Sequence, residues 1–228
     1  MKKTLLAFAL AAVSCTAAVA QTLPAADKAP AASTYATLMA ATIEELMKAT
    51  DKTQLQQSIA KMERAATVAP HDWLPRYYQA HAYVRLGFAT KEADQQDKLF
   101  DQAQAALDQA RRLPSADLSE VNVVQAYVYQ GRIMVAPMTR AVSYTGKVQE
   151  ALEAAEKLNP TNPRTYLVRG NDLKFRPKMF GGGDEAARPH YERARAAFAA
   201  FKPATPISPT WGERQLASIL KSYETATR

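Results

Sequence analysis

Apolar residues recur every three or four positions along almost the whole chain after residue 33, and this spacing predicts a succession of amphipathic helices. Tyr35, Met39, Ile43 and Leu46 form one such stripe. Proline and glycine separate the stripes, and no stretch alternates apolar and polar residues as a half-buried strand does. We therefore expect helices near residues 34–50, 53–69, 72–87, 94–112, 117–134, 144–158, 163–175, 184–200 and 210–226.

An internal repeat organises these helices into pairs. Residues 82–87 (AYVRLG) recur 44 positions later as residues 126–131 (AYVYQG), and Ala66 and Ala110 are related by the same offset. Ala155 belongs to a third copy, and a weaker fourth copy follows. Each alanine is expected at a close crossing of two helices. The pattern predicts an all-α protein of about nine helices, an α-solenoid of antiparallel pairs with a period of about 44–46 residues and a C-terminal cap helix.

Residues 151–163 (ALEAAEKLNPTNP) resemble the second helix and turn of tetratricopeptide repeats, and Tyr166 and Gly170 match the next first helix. The resemblance covers residues 54–212 and implies a stack of helix pairs whose first helices line a concave groove. The family's period is shorter, at about 34 residues. We expect the extra residues, 88–98, 132–146 and 176–183, to lie in longer connections. HEAT-like helical repeats are the alternative fold.

The N-terminus resembles an export signal. Lys2 and Lys3 precede a short apolar stretch at residues 5–13, and residues 18–20 (AVA) form a small-residue cleavage site. We expect a signal peptide at 1–20, a flexible tether at 21–33 and one helical-repeat domain at 34–228. The protein is thus expected in the periplasm; the alternatives are secretion, or lipid anchoring through Cys15, the only cysteine.

No sequence motif indicates catalysis. The chain has no glycine-rich nucleotide loop, nucleophile elbow or HExxH, and its three histidines lie far apart. The mature chain lacks cysteine, which excludes thiol catalysis and thiolate metal sites. We therefore expect a protein that is not an enzyme, with no cofactor and no metal site.

The resemblance implies that partner-binding residues lie on the first helices of the repeats. They mix aromatic, amide and cationic groups, which suit an extended peptide. The candidates are Tyr77, His81, Arg85, Asn122, Ala126, Tyr129, Gln130, Arg164, Leu167, Asn171 and Lys174.

Positive charge is concentrated in the C-terminal third. Residues 163–228 carry twelve basic and six acidic side chains, so an acidic partner is expected there. Arg164 and Lys174 are ten positions apart and should share a helix face, whereas Arg169 should point elsewhere. Residues 181–183 (GGG) precede a helix and could cradle an anion, although a simple hairpin loop is the better interpretation. Trp211 is expected to be a buried anchor.

These observations predict a non-catalytic periplasmic scaffold that binds a peptide or protein through a concave groove. We expect a monomer or weak oligomer with no nucleic-acid partner and no transmembrane segment after signal removal. The first alternative is an accessory or ligand-binding protein of an envelope transport system. The second is an enzyme whose site the sequence does not reveal.

Overall fold

The computed structural model describes the backbone of residues 28–226 and the side chains of residues 34–225. The predicted signal peptide and the first part of the predicted tether lie outside the described residues. The helices are α1 (Lys28–Lys48), α2 (Lys52–Val68), α3 (Leu74–Ala89), α4 (Ala93–Arg111), α5 (Leu118–Val135), α6 (Pro137–Leu158), α7 (Pro163–Phe175), α8 (Asp184–Ala200) and α9 (Glu213–Ala226). A short 3₁₀ turn, Lys178–Phe180, precedes α8. No strand forms between residues 28 and 226, so the all-α prediction is confirmed.

Successive helices pack as antiparallel pairs, and neighbouring pairs stack through α3, α5 and α7. The predicted helix crossings are confirmed, because Ala66, Ala110 and Ala155 are all buried. Small residues let the axes approach closely at such crossings. Gly87 and Gly131 serve the same purpose, since a Cβ atom on either would fall within 3 Å of the buried Phe100 ring.

Two helix boundaries differ from the prediction. The first helix begins at Lys28, within the expected tether, because the alanine-rich segment favours helix and Pro30 lies in its first turn, where proline is tolerated. Helix α6 begins at Pro137, and Ala136 alone separates it from α5. The extra residues of this repeat therefore lengthen a helix and do not form the long connection expected at 132–146. The connection expected at 88–98 is also wrong, because α3 and α4 extend into it and only residues 90–92 separate them.

The chain folds back on itself after α8. Residues 201–212 and then α9 pack back against α8 and against the side chains of α3, α5 and α7 that were expected to line the groove. Tyr78 donates to the carbonyl of Ile207 at 3.1 Å, and Tyr127 donates to Gln215 at 3.2 Å. The predicted cap helix exists, but together with the preceding segment it fills the groove.

Candidate functional site

Polar side chains at equivalent or adjacent positions of successive repeats join in a buried ladder along the groove. Tyr77 donates to Glu120 Oε2 at 2.7 Å, and Arg164 Nε donates to the two Glu120 oxygens at 2.8 and 2.9 Å. A second contact repeats the pattern, since Asn171 donates to Tyr127 Oη at 2.8 Å. These pairs are 43 or 44 residues apart, so the ladder follows the period of the sequence.

Trp211 closes the groove over this ladder. Its indole N–H donates to Tyr77 Oη at 2.7 Å, and its ring stacks on His81 with centroids 4.6 Å apart. Tyr127 lies against the same indole at 5.6 Å. The prediction that Trp211 is a buried anchor is confirmed.

The predicted groove residues fall into three groups. Tyr77, His81, Ala126, Arg164, Leu167 and Asn171 are buried, so none offers an open binding face. Asn122 and Tyr129 face the second helices: Asn122 accepts from Arg111 at 2.8 Å, and Tyr129 lies 5.8 Å from Tyr144.

Arg85, Gln130 and Lys174 are half-buried and already form hydrogen bonds within the protein. Arg85 donates to Ala49 O at 2.7 Å, Gln130 to Val168 O at 3.0 Å and Lys174 to Asp184 at 2.8 Å. Their role in binding a partner stays a prediction.

Sequence reasoning missed Glu120, Tyr127 and Gln215. It assigned the wrong face of α5 to the groove, because that helix is apolar on several sides and its stripe does not define one face. The repeat itself carried the missing signal: Glu120 lies 44 positions before Arg164, and Tyr127 lies 44 before Asn171. Complementary polar residues at the repeat distance mark contacts between successive units.

Burial keeps the histidine and the tyrosines of the groove uncharged at neutral pH. It lowers the pKa of His81 to about 3, with a smaller effect from Arg85 and Arg164. Burial also raises the pKa of Tyr77 well above its ordinary value and that of Tyr127 to about 12. Among the described side chains, His81 Nδ1 and Arg164 Nη1 have no hydrogen-bond partner. Because they are buried, these described groups of the filled groove are not accessible to a ligand.

Six of the basic residues of the C-terminal third form salt bridges with described acidic side chains. Arg169 pairs with Glu156 at 3.0 Å, away from the groove as predicted. Arg176 pairs with Asp172. The glycine run forms a closed loop: the amides of residues 181, 182 and 183 donate to Lys178 O, Pro177 O and Leu173 O at 3.0, 3.2 and 2.8 Å. These three amides are thus not free to cradle an anion.

A different surface stands out at the end of the molecule where first helices finish and second helices start. Large apolar side chains are exposed there on the neighbouring α5–α6 and α7–α8 turns. Met138, Val142 and Met179 expose 94%, 93% and 82% of their surface. We call this the apolar end surface and define it by Met134, Met138, Val142, Phe175, Met179 and Phe180. At the opposite end, Val68, Leu118 and Leu158 are exposed singly on separate turns. Several large exposed apolar side chains at one end of a molecule are a candidate interaction site.

Within residues 34–225 no group of three or more His, Cys, Asp or Glu side chains could hold a metal ion. None of the helices in the described part of the chain is long and apolar enough to cross a bilayer.

The similarity of this chain to known proteins is found among solved structures. No protein-family profile and no curated protein matches the chain. Among solved structures the chain is similar to the HusA haemophore from Porphyromonas gingivalis, with a TM-score of 0.75 and 29% sequence identity. The alignment covers 85% of this chain and 94% of the haemophore. The similarity therefore extends over nearly the whole of that protein, including its overall helical architecture.

Proposed function

We propose that this chain is an exported, non-catalytic binding protein for a haem-type tetrapyrrole, which it holds at the apolar end surface. The observation that carries the proposal is the similarity to a haemophore over 94% of that protein's length. It develops the expectation of a ligand-binding protein in an envelope transport system.

The apolar end surface suits the faces of a porphyrin. The macrocycle is broad, flat and apolar, and its removal from water is favourable in proportion to the area covered. The two neighbouring turns present Met138 and Val142 on one side and Phe175, Met179 and Phe180 on the other. Methionine side chains adapt to irregular partners and pack favourably on aromatic rings.

The same surface offers thioether sulfurs to the iron. Soft thioethers are established haem ligands. Of the three histidines, His81 is buried and His190 is half-buried on α8, while His71 lies at the opposite end. Apolar contact with the macrocycle is therefore expected to supply most of the affinity, with Met138 or Met179 as the candidate sulfur donor.

Titration of haem into the mature chain, followed by the Soret absorbance, tests the proposal. Wild type should bind with saturation at one site. The double variant Met138→Ser/Phe175→Ser should weaken binding by about tenfold or more, because it removes apolar area from both turns. Both residues are highly exposed, so the fold should be unaffected.

The matched control is Val68→Ser/Leu158→Ser, which removes two exposed apolar side chains at the opposite end. It should bind haem as wild type does. Equal losses in the two double variants would show that binding is nonspecific, and absence of saturable binding to wild type would refute the proposed function.

Peptide binding in the concave groove stays a prediction. It requires residues 201–223 to leave the groove and expose Tyr77 and Arg164, which are now covered. Because that displacement breaks the hydrogen bonds of Trp211 and Tyr78 described above, the apolar end surface is the better-supported site.

A further inference from the structure

We infer that Lys178 recognises the carboxylate groups of the ligand and so fixes its orientation on the apolar end surface. The inference rests on the proposed function and adds a polar contact with the ligand to the apolar contacts described above. A haem-type ligand carries two propionate groups on one edge of an apolar disc, so a site that covers its faces must also accommodate that edge.

The position of Lys178 meets this requirement. It opens the 3₁₀ turn Lys178–Phe180, and so it lies in sequence between Phe175 and Met179 of the apolar end surface. Lys178 is exposed. A flexible lysine at the border of an apolar patch can keep its stem on the protein while its ammonium group meets an anion.

Three other cations around the two turns pair with acidic neighbours. Lys174 pairs with Asp184 at 2.8 Å, and Arg176 pairs with Asp172. On the α5–α6 side, Arg140 pairs with Asp97 at 2.6 Å. Lys178 forms no salt bridge with any described side chain, although its charge adds to the larger effect of Lys174 in lowering the pKa of Asp184. A ligand carboxylate can therefore bind Lys178 without breaking a salt bridge.

The glycine run explains how the lysine is placed. Gly183 has a backbone φ of 101°, and a Cβ atom there would lie 3.0 Å from Lys178 Cγ. The missing side chain lets the aliphatic stem of Lys178 lie across the loop just before α8. Because the amides of residues 181–183 bond to carbonyls within the loop, the lysine side chain is the group left to bind an anion.

Comparison of haem with its dimethyl ester, which lacks both carboxylates, tests the inference. Lys178→Gln should weaken haem binding about three- to fivefold at low salt, as expected for an exposed charge pair, and leave ester binding unchanged. Lys178→Arg should restore haem binding. Rising salt should reduce the difference between wild type and Lys178→Gln, because salt screens exposed charges.

Lys91→Gln is the matched control. Lys91 lies in the α3–α4 connection at the same end of the molecule, is exposed, and has no salt bridge among the described residues. It should bind haem as wild type does. If Lys178→Gln binds haem like wild type, or if Lys91→Gln loses as much affinity, the inference is wrong.

The ester also separates this inference from the proposed function. Saturable ester binding that depends on Met138 and Phe175, combined with no effect of Lys178→Gln on haem, would refute the role of Lys178 alone. No saturable binding of either haem or ester by wild type would refute the proposed function itself.

Discussion

Arg164 and Lys178 show how differently two cations of one basic region can be used. Arg164 is 1% exposed and bonded to Glu120, with its guanidinium 4.6 Å from the Phe201 ring centre. A buried charge pair contributes little net stability over an apolar alternative, but losing one partner costs about 3–5 kcal/mol because an uncompensated charge remains. Arg164 is therefore structural. Lys178 is exposed and forms no salt bridge with a described side chain, and this leaves its ammonium group for recognition.

His81 makes a residue-scale prediction about pH. Burial lowers its pKa to about 3 in the folded protein, whereas an unfolded histidine has a pKa of about 6.5. Between these values the unfolded state binds the extra proton, so stability falls as pH falls through this window. Lowering the pH from 7 to 5 should cost wild type about 2 kcal/mol more than it costs His81→Phe, measured by urea unfolding.

The Phe variant keeps a ring against Trp211, and subtraction of its pH profile removes the contributions of the carboxylates. Between pH 7 and 8 the two proteins should show parallel profiles. If the difference between them is also constant from pH 7 to pH 5, His81 is not kept neutral by burial.

At the scale of helices, one aromatic ring determines how closely α3, α4 and α5 pack. Phe100 is fully buried between the glycines of α3 and α5. The AYVRLG and AYVYQG segments thus end in glycine because the ring needs the space of a side chain. Neither glycine ends its helix, since α3 and α5 continue beyond Gly87 and Gly131 to Ala89 and Val135.

Gly131→Ala and Gly146→Ala form a matched pair that tests this account. A Cβ at residue 131 would lie 2.2 Å from a Phe100 carbon, and such overpacking costs about 1–3 kcal/mol. Gly146 lies inside α6 with nothing within 4 Å of an added Cβ, so alanine should stabilise by about 0.5–1 kcal/mol. Urea unfolding measures both. The same sign for both substitutions would contradict the packing argument.

The sequence predicted the helix pairs well and the site poorly, for physical reasons. Periodicity and the repeat located the nine helices, because alanine, proline and amphipathic stripes act within or between adjacent helices. The sequence did not predict that the groove is filled, because the segment that fills it is distant in sequence. Trp211 lies 134 residues from Tyr77. The apolar end surface was missed because Met138 and Phe175 belong to different turns. The resemblance to tetratricopeptide repeats stays a prediction.

At the scale of the whole molecule, the C-terminal segment ties together repeats that otherwise contact only their neighbours. Arg214 donates to Met47 O of α1 at 2.8 Å, while Trp211 contacts α3 and α5. Tyr223 donates to Asp184 of α8 at 2.9 Å. A stack of repeats can unfold in parts. A segment that touches most of them should make unfolding cooperative.

Trp211→Ala should therefore lose about 3–5 kcal/mol and also lose cooperativity. Only two tryptophans are present, so Trp73 becomes the sole fluorescent reporter of α3 in this variant. Its urea transition should separate from the loss of helical circular dichroism, whereas the two signals should coincide in Trp211→Phe, which retains a ring. Coincident transitions in Trp211→Ala would show that stacking of the repeats alone provides cooperativity.

The buried ladder has a consequence for how such a chain can change its length. Glu120 and Arg164 occupy the same place in successive units, and Tyr77 lies one position beyond that place in the preceding unit. The three are a phenol, an acid and a base. Exchange of the second and third units would place the base beside the phenol and remove the acid from between them. The units are thus not interchangeable modules. A duplication or exchange of units that preserved every helix would still be unfavourable, because it would break these buried contacts.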